Sequence, residues 1–152
     1  MGKREVFDRI FIGVLGLVLI SVFIPCNQID IVVKGYTKSS YTSIMDSRIG
    51  FMHIVFPLVI AFILIWGKHI LASILGILLA IVHSVILYFY VDNGNYGKQI
   101  LESKGAFSIL MEMGGITDIK NIHPVGFYVA VAAVILLVLV SVIGFFIKED
   151  EY

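Results

Sequence analysis

The sequence contains one cysteine, Cys26, three prolines and one tryptophan, and only 14% of its 152 residues are charged. A single cysteine excludes an intramolecular disulfide, a multi-cysteine metal site and an iron–sulfur cluster. Eleven basic and eleven acidic residues cancel, which leaves no basic face for a nucleic acid. Catalytic signatures are missing too. There is no nucleophile–base–carboxylate set, no His-Glu-x-x-His and no glycine-rich phosphate loop. No enzymatic activity and no cofactor are therefore expected. No Asn-x-Ser/Thr sequon occurs.

The shortage of charge has a second consequence. Soluble domains carry about 25% charged residues, whereas this chain is 59% hydrophobic with a mean hydropathy of +1.01. A domain this small cannot hide that much apolar surface from water. The composition points to lipid as the solvent.

What is present is four apolar runs, Ile10–Pro25, Ile49–Trp66, Ile70–Val91 and Val125–Ile147, with no Asp, Glu, Lys or Arg in their middles. Crossing a bilayer core takes about 20 residues, and Phe7 with a snorkelling Arg9 lengthens the first run. Without a small-x-small cleavage site, the first run reads as an uncleaved anchor rather than a secretory signal. The expectation is an all-α integral membrane protein, a compact four-helix transmembrane bundle in one domain. Its spans fall at 7–26, 49–66, 70–91 and 125–147, and its longer outer loops at 27–48 and 92–124.

Four spans place both termini on the same side. Lys3, Arg4, Arg9, Lys68 and Lys148 cluster near span ends on that side, and six basic residues (Lys34, Lys38, Arg48, Lys98, Lys104, Lys120) are spread through the long loops. Density rather than count therefore points to cytoplasmic termini. The richness in Ile, Val and Lys points further to a bacterial plasma membrane.

In the first loop, "IDIVVKGYTKSSYTS" suits either a hairpin around Gly35 or an irregular cover. In the second, Ile100, Phe107, Leu110 and Met111 fall near helical spacing with Lys104. They predict a short amphipathic helix ended by Gly114-Gly115, facing lipid, a partner or the bundle.

Small residues let helices approach closely in lipid. Ala72, Gly76, Ala80 and Ser84 stand four apart on the third run, and Gly13 and Gly16 mark the first. Pro57 should bend the second run. The intramembrane polar candidates are His83, His53 and Ser84, since an ionisable residue in a span is a functional-site hypothesis by default. Interhelical hydrogen-bond glue is the expected role of His83, and a proton- or ligand-sensitive group is the alternative. Two histidines fall short of the three or four ligands a metal needs, so no metal is expected. His69 and His123 lie in connections with no constellation of their own.

These features point to a small non-enzymatic membrane subunit that binds itself, or a larger membrane partner, in membrane lipid. A small oligomeric pore or transporter component, sensitive to pH through His83, is one alternative. A lipid- or peptide-binding receptor is another. The layout resembles that of claudin-type tetraspans, with four helices and a β-prone first outer loop. The tryptophan and cysteine pair of that family's loop have no counterpart here, where only Cys26 borders the loop. The resemblance therefore implies layout and no function.

Overall fold

The computed structural model describes residues 3–103 and 105–147; Lys104 and Lys148 lie outside them. Among the described residues, five α-helices and one 3-10 turn accompany a three-stranded antiparallel sheet, so the fold is mixed α/β rather than an all-α bundle. The elements are α1 (Lys3–Ser21), β1 (Asn27–Val33), β2 (Tyr36–Thr42), α2 (Met52–Ile65), α3 (His69–Glu102), α4 (Ala106–Met113), β3 (Ile116–Ile122) and α5 (Val125–Gly144). The 3-10 turn, Ile44–Asp46, lies between β2 and α2.

The expected four-helix multi-pass membrane bundle is corrected by the helix lengths. Among the described residues, two segments are long and apolar enough to cross a membrane, His69–Asp92 of α3 and Val125–Gly144. Helix α2 has 14 residues, or about 21 Å at 1.5 Å per residue, short of the ~30 Å hydrocarbon core. Helix α1 has 19 residues, but its first two turns hold Arg4, Glu5, Asp8 and Arg9, so the uncharged part is about as short as α2. Hydropathy alone counted these runs as spans because it does not register where a helix starts and stops.

The sheet also departs from expectation, because both outer loops build it. β1 pairs with β2 through a two-residue turn in which Lys34 (φ 49°) and Gly35 (φ 82°) are both left-handed. That geometry matches the twist of a tight hairpin and is tolerated best by glycine. The hairpin reading of the first loop is the one adopted. β1 also pairs with β3, giving the order β2-β1-β3. A register shift falls between Val32 and Val33, opposite Thr117, whose hydroxyl donates to the Val32 carbonyl at 3.4 Å. Ile119 is buried, and the Asn121 side-chain amide donates to the Val91 carbonyl at 3.2 Å. β3 is thereby fastened to α3.

Helices α1, α2, α3 and α5 pack side by side beneath the sheet. Phe11, Val18, Ile60, Leu64, Ala72, Ala133 and Leu137 form the main apolar cluster, all 1% exposed or less. Helices α3 and α5 run antiparallel and interlock through small residues. A Cβ at Gly76 would collide with the Ser141 hydroxyl, and one at Gly144 with the Ser73 hydroxyl. The amino end of α1, the α2–α3 turn and the carboxyl end of α5 therefore meet at one end of the layer, with the sheet at the other.

Candidate functional site

His53 opens the first turn of α2 and His83 lies midway along α3. Each is 1% exposed or less, and their rings meet edge to face with centroids 5.1 Å apart and planes at 70°. The fold thus brings two of the sequence candidates into contact. The His53 Nδ1 lies 3.4 Å from the Ile49 carbonyl, so that nitrogen is the donor and Nε2 is left as an acceptor. His53 Nε2 and both His83 ring nitrogens have no hydrogen-bond partner among the described residues. Pro57, buried one turn beyond His53, also removes the helix bond to the His53 carbonyl. Beside the pair lies an apolar cleft of about 250 Å³ lined by Met52, His53, Phe56, Leu78, Leu79 and Val82.

The contact between these histidines is thus ring on ring, not the hydrogen-bond glue expected from the sequence. An edge-to-face pair contributes about 0.5–1.5 kcal/mol, whereas a buried unpaired polar group costs about 1–3 kcal/mol. The second effect is the larger. His83→Leu is therefore expected to hold or raise the melting temperature in detergent, and a clear fall would show that its ring nitrogens have a bonding partner. Chemically the pair can accept or donate a hydrogen bond. Among the described residues no group of three His, Cys, Asp or Glu is placed to hold a metal.

The other sequence candidates separate. Ala72, Gly76 and Ala80 are buried, but Ser84 is exposed, its hydroxyl donating to the Ala80 carbonyl of its own helix at 2.8 Å. The packed ridge therefore turns off the four-residue row onto Ser73. Gly13 and Gly16 make no close approach, since a Cβ at either would meet nothing within 4 Å. Ile100 stays on α3, which continues past the expected end of its run, while Phe107, Leu110 and Met111 fall on α4. Phe107 and Leu110 are 71% and 62% exposed, and Met111 is half-buried.

One cluster was missed from the sequence. His69, fully buried at the start of α3, lies 3.4 Å from the Asp8 carboxylate, and Arg4 Nε lies 3.9 Å from the same carboxylate. Phe7 packs edge to face on the His69 ring at 5.7 Å. The spacing of Arg4 and Asp8, one helical turn apart, was the available signal. Nothing local tied Asp8 to a residue 61 positions away. The cluster fastens the charged end of α1 to the start of α3. His123 is also not solitary, stacking on Phe127 at 4.5 Å.

No family model and no curated sequence matches the chain.

Proposed function

We propose that the chain is a small non-enzymatic membrane subunit, anchored in lipid by α3 and α5, whose outer head binds a second copy or a larger membrane partner. One observation carries the reading. Only 44% of the apolar α3 window and 33% of the α5 window are buried inside the protein, whereas the core helix of a soluble domain is mostly covered. Ile74, Leu78, Ile81, Leu139, Ile143 and Phe146 all lie 44% exposed or more. Large apolar side chains exposed along both helices call for a nonaqueous cover. The head supplies the surface for association, since β2 is exposed along nearly its whole length and α4 carries uncovered apolar side chains.

The membrane proposed is a bacterial plasma membrane.

The test is fractionation of the full chain followed by crosslinking in mild detergent. The protein is expected to stay with membranes through an alkaline wash and to link to itself or to a copurifying protein. Release by the wash would overturn the anchoring. A strict monomer with no recovered partner would overturn the association.

A further inference from the structure

The His53 ring is placed so that a positive charge on it would go unanswered. Its Nδ1 already faces the Ile49 carbonyl, and Nε2 has no hydrogen-bond partner among the described residues. A proton taken up at Nε2 would create a second N–H with no acceptor in reach, beside the His83 ring. The elements packed on α2 bring no carboxylate to it. Helix α1 carries no charged residue from Ile10 to its end at Ser21. Between His69 and Asp92, α3 offers the His83 ring and the phenols of Tyr88, which is exposed, and Tyr90, which donates to the Ser43 carbonyl. Ahead of α2, Asp46 accepts the Ser43 N–H and hydroxyl at 2.6 and 2.9 Å, and Arg48 is exposed. Burial accordingly pushes the His53 pKa below its ordinary 6.5, with the Ile49 bond opposing it.

The same ring lies where α2 is least firmly held. Pro57 has no N–H to bond the His53 carbonyl, so one helix bond is missing between the first turn and the rest of α2. The cleft of about 250 Å³ runs beside that turn, between Met52, His53 and Phe56 of α2 and Leu78, Leu79 and Val82 of α3. Phe51 and Met52, next to His53 in the chain, are exposed.

We infer that His53 is a proton-sensitive latch, which seats the first turn of α2 against α3 when neutral and releases that turn when protonated. An imidazolium without an acceptor or counter-charge is disfavoured where it is buried and ordinary where it meets water. The seated form is therefore fully held above about pH 6.5 and is lost progressively as the pH falls below that value. The inference goes beyond the membrane-subunit reading and does not depend on any partner.

The experiment labels Leu79→Cys, in the full chain in mild detergent, with a water-soluble maleimide. Leu79 is 3% exposed on the α3 wall of the cleft. Its labelling rate is divided at each pH by that of Ser40→Cys on exposed β2, which cancels the thiol's own dependence on pH. The parent chain gives the background, because Cys26 is fully buried. Between about pH 7 and pH 5 the ratio is expected to rise toward a ceiling of about 25-fold, the value for a ring that charges near 6.5 only in the released form. His53→Leu, which cannot take a proton, is expected to hold the ratio level. Phe56→Cys, on the α2 wall, serves as the reporter if Leu79→Cys does not fold. A ratio that stays level in the His53 chain, or that rises equally with His53→Leu, would overturn the inference. So would a ratio that falls on acidification, because it would mean that a His83 nitrogen accepts the new N–H and tightens the contact.

Discussion

Gly126→Ala is expected to destabilise the protein sharply, while Gly13→Ala in the same chain is expected to leave it unchanged or slightly more stable. Both replacements add one methyl group to a helix. Alanine is worth about 1 kcal/mol over glycine in a helix interior, and at Gly13 nothing lies within 4 Å of the new Cβ to oppose that gain. At Gly126 the new Cβ would strike the Pro25 carbonyl oxygen, with the Pro25 carbonyl carbon 2.8 Å away and Ile24 Cγ2 at 2.6 Å. A side chain can rotate out of such a contact, but a backbone carbonyl cannot. The carbonyl belongs to the junction that leads from α1 into β1, so α5 must move or the head must tilt. Overpacking costs about 1–3 kcal/mol and occasionally more, and the immovable partner places Gly126 at or beyond the upper end. Thermal unfolding of the two variants in one detergent checks the pair, and equal melting temperatures would sink the argument.

The second large effect is expected from Phe11→Ala. Phe11 is fully buried in the main cluster, its ring edge to face with Phe7 at 5.6 Å. The ring tip sits 3.3 Å from where a Cβ on Gly76 would be, so Phe11 fills the notch that Gly76 opens beside α5. Truncating a buried phenylalanine costs about 3–5 kcal/mol, because the surroundings do not collapse into the void. In lipid the hydrophobic share of that cost shrinks, but lost dispersion contacts remain the main force between apolar helices. Phe23→Ala is the comparison, since Phe23 is 56% exposed and its loss is expected to shift melting little. A Phe11→Ala protein that melts with the parent would show that α1 is not held through this contact.

These expectations mark how far the sequence could be read. The four helical runs were visible because each is a continuous apolar stretch, and Gly114-Gly115 marked the end of α4. The starting charges of α1 and the fourteen-residue limit of α2 were present in the same letters. Hydropathy averaged over them, and two short helices were counted as spans. That α3 ends at Glu102 and a separate α4 starts at Ala106 was harder to see, since apolar residues continue on both sides.

The candidate site shows the same division. His53 and His83 stood out because histidine is rare in an apolar run, but their edge-to-face contact depends on the α2–α3 crossing. Ser84 continued a row of small residues by spacing and yet points away from the packed side. Asp8 and His69 were passed over because each lies among ordinary terminal charges and connections.

The sequence by itself determined the apolar character of the chain, the positions of its helical runs, the hairpin propensity around Lys34-Gly35 and the single isolated thiol. These follow from residue type and near-neighbour spacing. Tertiary structure alone decided that β1 pairs with β3 across some ninety residues, joining both outer loops into one sheet. It also decided that His53 meets His83, that Asp8 meets His69, and that α4 keeps its apolar face uncovered. Those outcomes depend on which distant segments come together, and strand pairing and helix crossing leave no local periodicity from which to read them.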